Sequence, residues 1–271
     1  MRRPLLLGLV AISPMLVACP SEREPAPPGR PSIADARWID LTHPFDSTTI
    51  YWPTAQPFRL EVVSAERTPA GYYYAANNFG AAEHGGTHLD APIHFAEGRH
   101  TTDEIPLDRL IGPALVVDVA GAAARNADYR VTAEDLVEWE REHGTVPEGA
   151  IVLIRTGWAR RWPDRSRYLG TARLGPRAVD ELHFPGLDSS AARLLVARRV
   201  DAVGIDTPSV DHGQSRLFES HRILSEANVP AFENVANLES LPVLGATVVA
   251  LPMKIAGGSG GPLRIVAMVP E

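Results

Sequence analysis

The residues best able to do chemistry lie together in Glu83-His84-Gly85-Gly86-Thr87-His88-Leu89-Asp90-Ala91-Pro92-Ile93-His94-Phe95, which holds three of the nine histidines and an aspartate. Imidazole nitrogen and carboxylate oxygen are ligand types that suit zinc, manganese or iron. Thiolate ligation is not on offer, because the single cysteine, Cys19, stands far upstream. His88, Asp90, Pro92 and His94 fall at every second position and share one face of an extended segment. His84 precedes His88 by four residues, with Gly85 and Gly86 free to turn tightly between them. Pro92 argues against a central strand, so the spacing predicts an edge or a loop rim beside a cavity. Histidines placed for packing alone need no such convergence, and the pattern points to a metal centre.

The elements that must position this segment read as short apolar strands and a few helices. Runs at 114–119, 150–155, 202–206, 246–251 and 263–268 are β-branched, bounded by Gly or Pro, and predict buried strands. Thr132 to His143 opens with a capping residue, carries carboxylates in its first turn and ends before Gly144, which predicts a helix. Ser189 to Arg199 predicts a second, feeding directly into the 202–206 strand. The mixture implies a single α/β domain over residues 32–271, with no internal linker or repeat to divide it. A net charge of −7 without a basic run argues against a nucleic-acid partner and leaves neutral or cationic small molecules as easier substrates.

Residues 1–18 have the character of a targeting segment: Arg2 and Arg3, then an apolar run from Leu5 to Met15 too short to span a bilayer. Leu16-Val17-Ala18-Cys19 resembles a bacterial lipobox, which implies cleavage before Cys19, lipidation of its thiol and export. Pro20, where an aspartate would favour inner-membrane retention, points to the outer membrane. Residues 19–31 continue as a proline-rich tether that would hold the domain off that surface. With no second cysteine, the domain has no disulfide and no thiol nucleophile.

The segment from His84 to Phe95 resembles the H-x-G-T-H-x-D-x-P-x-H-F signature of the cyclase family of metal-dependent hydrolases, which contains bacterial kynurenine formamidases and isatin hydrolases. The likeness extends from Asp40-Leu41-Thr42-His43 through Gly204-Ile205-Asp206-Thr207-Pro208-Ser209 and covers most of the chain after residue 37. It implies a swivelling β/β/α fold, which periodicity alone does not show. It also implies that His221 and Glu233, ordinary by themselves, join His84, His88 and Asp90 in holding two zinc ions. Isatin hydrolases carry a glutamine at the position matching Glu233 and use one manganese, so the carboxylate favours the binuclear zinc reading, with manganese as the alternative.

The activity implied is hydrolysis of an amide C–N bond by a metal-bound hydroxide, with His94 as the proton shuttle, in the manner of an arylformamidase. Tyr51-Trp52-Pro53 matches the family's aromatic segment near the pocket; Trp52, Phe79 and Trp158 are candidates for stacking on an aryl ring. A cyclic amide such as isatin, or a lactone or other ester, is the alternative substrate. A non-catalytic envelope lipoprotein that captures metal or a small ligand is the alternative class, although a pure ligand cage has no need of His94. Export sits awkwardly with tryptophan breakdown through N-formylkynurenine, which is expected in the cytoplasm, so reaction class is the firmer expectation. The family's tendency predicts a homodimer or larger assembly. Gly257-Gly258-Ser259-Gly260-Gly261 satisfies the G-x-S-x-G pattern of serine hydrolases, but a strand-like run follows instead of a helix, so the segment reads as a flexible connection between strands. Nor do these glycines follow the βα unit that a dinucleotide site requires.

Overall fold

The computed structural model describes residues 36–270; the proposed signal segment, Cys19 and the tether lie outside the described residues. In chain order the elements are β1 (Ala36–Asp40), β2 (Arg59–Arg67), β3 (Tyr73–Gly80), β4 (His88–Asp90), β5 (Ile111–Asp118), α1 (Ala120–Arg125), β6 (Arg130–Val131), α2 (Ala133–His143), β7 (Ile151–Arg155), α3 (Arg165–Leu169), β8 (Gly186–Leu187), α4 (Ser189–Ala197), β9 (Ala202–Ile205), α5 (Glu219–Glu226), β10 (Ala231–Glu233), β11 (Ala246–Pro252) and β12 (Gly260–Pro270). No helix among the described residues is long and apolar enough to cross a membrane.

The main sheet runs β1-β12-β11-β5-β7-β9-β10-β4, and β4 also pairs with β12, so seven of the strands close into a barrel. Strands β5, β7, β9 and β10 are parallel, which explains why the first three read as continuous apolar runs. Ala114, Val116, Ile151 and Leu153 face the barrel interior, whereas Leu115, Val117, Val152 and Ile154 pack outward beneath α2 and α4. Helix α2 begins as its sequence predicts, with Thr132 and Asp135 in a reciprocal capping box.

The central motif departs from expectation in one respect. Strand β4 is not an edge: it lies between β10 and β12, with His88 opposite Glu233 on one side and Pro262 on the other. It escapes the penalty of Pro92 by ending at Asp90, after which Pro92–His94 forms a 3-10 turn. The glycine-rich segment is likewise no free connection. Gly260 and Gly261 begin β12 and pair with Asp90 and Leu89, and the Ser259 carbonyl accepts a hydrogen bond from the Ala91 amide.

Strands β2 and β3 form a separate two-stranded hairpin with no buried residue in either strand. Phe79, expected at the substrate site, sits on this hairpin, 58% exposed and stacked at 6.2 Å on Phe58.

Candidate metal centre

The pleat of two short strands sets the floor of the site. Leu89 and Phe232 point into the core, fully buried, so His88, Asp90 and Glu233 emerge together on the opposite face. Helix α5 brings His221 over this face, and the loop before β4 brings His84. His84, His88 and Asp90 form one triad and Asp90, His221 and Glu233 a second, each with its ligand-type atoms within 4.8 Å of one another. Asp90 is common to both. His84 Nδ1 lies 2.6 Å from Asp90 Oδ1 and His88 Nε2 3.2 Å from the same oxygen; His221 Nε2 lies 3.0 Å from Oδ2 and 3.1 Å from Glu233 Oε1.

The outer nitrogen of each ring fixes what the inner one can do. His88 Nδ1 donates to the Gly86 carbonyl at 3.0 Å, an oxygen that can only accept. His221 Nδ1 donates to Asp211 Oδ2 at 2.6 Å. His84 Nε2 donates to Ser259 Oγ at 2.9 Å, and Ser259 gives its own proton to Glu83 Oε2 at 2.6 Å. When the rings are neutral, all three inner nitrogens are lone pairs facing carboxylate oxygens. His88 Nε2 makes the mismatch concrete, since it is buried with no hydrogen-bond partner although Asp90 and Glu233 lie 3.2 and 3.4 Å away. A cation between acceptors resolves it, and the donor set of three imidazoles and two carboxylates suits zinc or manganese.

Burial opposes a charge on His221, but hydrogen bonds to Asp211, Asp90 and Glu233 outweigh it and hold the imidazole well above its usual pKa. His88 is raised, against its burial, by Asp90 and Glu233. Asp90 is driven well below the carboxylate range despite burial, by the surrounding histidines, whereas burial pushes Glu233 up.

The supports come from distant parts of the chain. Gly86, at φ +60, turns its carbonyl back to His88, and an added Cβ there would meet the Phe45 ring at 2.6 Å. Asn234 donates to the same carbonyl at 2.7 Å, and its own carbonyl accepts from Thr87 Oγ1. Glu233 Oε1 accepts from the Val210 amide at 2.7 Å. Asp211 holds the His221 ring and also accepts the Ser220 and His221 amides, anchoring the start of α5. Sequence alone assigns no supporting role to Asp211, Asn234, Ser259 or Glu83, although Glu83 opens the motif and Ser259 sits in the G-x-S-x-G pattern. Asp211 is the one with a local signal, an acid shortly before a candidate ligand histidine.

Above the centre opens a cavity of about 290 Å³, walled by Ile50, Tyr51, Trp52, Phe95 and Phe218 as well as the five ligand-type residues and His94. His94 stacks on His84 with centroids 3.8 Å apart, and burial lowers its pKa to about 4. Tyr51 keeps a buried hydroxyl with no partner among the described residues, and burial raises its pKa to about 12. Of the three aromatic candidates, Trp52 lines the cavity and the other two do not. Phe79 is on the outlying hairpin. Trp158 is 1% exposed in a core cluster with Tyr168 and Phe184, its indole N–H donated to the Tyr168 carbonyl, because Asp206 pins the turn that carries it.

A closed mixed barrel with imidazoles and carboxylates converging below an aromatic cavity suits metal-assisted hydrolysis. The chain belongs to the Cyclase family, whose description is "Putative cyclase" and whose match spans residues 39–212. It is 32% identical to an isatin hydrolase of Roseibium aggregatum, over 83% of this chain and 91% of that one. It is 28% identical to a kynurenine formamidase of Salinibacter ruber, over 84% and 95%. Among solved structures, isatin hydrolase A from Labrenzia aggregata bound to benzyl benzoate superposes with a TM-score of 0.79 at 36% identity, covering 88% of this chain and 95% of that one.

Proposed function

We propose that this chain hydrolyses the C–N bond of an aryl amide, with His84, His88, Asp90, His221 and Glu233 holding two zinc ions and His94 moving the proton. The observation that carries this reading is the set of inner imidazole nitrogens facing two buried carboxylates beneath an aromatic cavity. Divalent cations bound there would polarise a carbonyl and bring the pKa of a water toward neutrality. His94, neutral at pH 7, accepts the proton released when water adds to the carbonyl and returns it to the departing nitrogen. Trp52, Phe95 and Phe218 offer faces for an aryl ring. Tyr51 offers an O–H donor to a substrate oxygen.

Two related substrates fit this chemistry. Glu233 supplies a second carboxylate for a second cation and favours the linear formamide of a kynurenine formamidase. The higher identity to isatin hydrolases favours a fused cyclic amide and a single manganese. Elemental analysis of the purified chain, with N-formylkynurenine and isatin hydrolysis measured on the same sample, separates them. A metal-loaded chain inert toward both would discard these substrates and revive the binding-lipoprotein reading.

Export and lipid attachment at Cys19 complete the proposal and are tested by mass spectrometry of the mature N-terminus. So does self-association, for which the support is the bare hairpin: Leu60, Val62, Val63, Tyr72, Tyr73, Tyr74 and Phe79 are each more than half exposed on or beside a two-stranded sheet that has no core of its own.

A further inference from the structure

Ser259, His84 and Asp90 stand in a row. Ser259 Oγ lies 2.9 Å from His84 Nε2, and His84 Nδ1 lies 2.6 Å from Asp90 Oδ1. Together with the G-x-S-x-G pattern, this spacing resembles a serine hydrolase triad. Three observations oppose that role. Ser259 does not line the cavity, so its oxygen does not face the place where a substrate would sit. Its hydroxyl proton is committed to Glu83 Oε2 at 2.6 Å, and the same carboxylate oxygen accepts the Ser259 amide at 3.1 Å. Asp90, which would have to serve His84, is shared with His88 and His221.

We propose that Ser259, backed by Glu83, is a positioning residue that fixes the tautomer and orientation of His84 so that Nδ1 faces the metal centre. This inference rests on the metal reading above. The proton order follows from the chemistry of each partner. Glu83 Oε2 receives both the Ser259 amide and its hydroxyl; the remaining lone pair of Ser259 accepts from His84 Nε2–H, and Nδ1 is left as a lone pair beside Asp90. The arrangement is a carboxylate–histidine support with a hydroxyl inserted between the two groups.

The glycines around Ser259 serve this placement. A Cβ on Gly260 would come within 2.6 Å of both His84 Cε1 and the Leu89 carbonyl, and one on Gly258 within 3.0 Å of Glu83 Oε1. The chain passes this close to the ring only without side chains. Thr102 Oγ1, donating to the Gly258 carbonyl at 3.0 Å, pins the segment from behind.

Zinc affinity, measured by competition with a chromophoric chelator on the full chain and its Ser259→Ala, Ser259→Thr and Glu83→Gln variants, tests the assignment. Ser259→Ala should bind one zinc equivalent about 10-fold more weakly. Ser259→Thr, which keeps the hydroxyl, should restore most of the loss, and Glu83→Gln should fall between. The metal-free thermal midpoint should stay at the wild-type value, which separates positioning from a general loss of packing. Wild-type affinity in Ser259→Ala, or a loss that threonine does not repair, overturns the proposal. So does covalent labelling of Ser259 by a fluorophosphonate together with abolished turnover at full zinc loading, the signature of a nucleophile. A wild-type chain that takes up no zinc would instead remove the metal reading itself.

Discussion

His84 and His221 approach the same carboxylate through its two oxygens, and the protein holds them by different means. The His221 side chain is 6% exposed and is braced directly by Asp211, which is equally buried. That of His84 is 25% exposed and is braced through Ser259 to Glu83. The direct carboxylate on His221 is itself satisfied by the amides that open α5. On the more exposed His84 a hydroxyl relays the carboxylate instead. His94 stacks on this wetter half. The chain therefore separates a more buried half from a more accessible half that carries the proposed proton shuttle.

Asp90→Asn should erase the distinction, because both triads use this side chain. We expect elemental analysis to find neither equivalent of metal and turnover to fall to background, with the barrel still folded by circular dichroism. Retention of one equivalent would mean that the halves are independent. The next largest effect is on chemistry alone. His94→Ala should cut turnover by about 10² to 10⁴ while metal content stays at the wild-type value. Loss of metal along with activity would make His94 a ligand and dissolve the proposed division of labour.

Asp211→Ala probes the buried half. It removes the acceptor for the His221 ring and leaves the Ser220 and His221 amides without a partner, so zinc should bind about 100-fold more weakly at this half. The lost anchor at the start of α5 should cost about 1–2 kcal/mol, a fall of roughly 2–8 °C in the thermal midpoint. The comparison predicts a larger effect here than from Ser259→Ala, and a stability loss that Ser259→Ala lacks. Equal effects would show that the direct carboxylate holds its ring no better than the one relayed through a hydroxyl.

How much of this was legible depends on whether partners are close in sequence. His84, His88, Asp90 and His94 could be read directly, since a single turn and a three-residue strand bring them together. The parallel strands β5, β7 and β9 are equally readable, because burial on both faces leaves unbroken apolar runs such as Ile151 to Ile154; β10, three residues long, is not. His221 and Glu233 were visible through family resemblance alone; a lone histidine and a lone glutamate carry no local signal. Ser259 reaches the site through barrel closure, which places Gly260 beside Asp90, and Asp211 reaches it from the loop after β9, bridged to Leu187. Of the two placements that Pro92 suggests, the loop rim holds for Pro92–His94 and the edge fails for β4, because three residues are too few to show a period and Pro92 lies just past their end. Trp158 and Phe79 show that aromatic character does not distinguish a cavity wall from a core or an outlying hairpin.

The last expected effect concerns pH. In the metal-free chain the neighbouring acids hold His221 well above the usual imidazole pKa of about 6.5, so the folded state binds this proton more tightly than the unfolded chain does. That stability is fully present below about pH 6.5 and is lost as pH rises through the folded value. A cation needs the deprotonated ring and displaces the proton, so its own contribution grows over the same interval. Metal-free thermal midpoints should therefore decline above pH 6.5 while the gap between zinc-loaded and metal-free chains widens. Each displaced proton is worth about 1.4 kcal/mol per pH unit while it is bound in one state and absent from the other, or about 3–6 °C in a domain of this size. A gap that stays constant from pH 6.5 to 8.5 would mean that cation and proton do not compete for His221, and His221 would lose its claim to be a ligand.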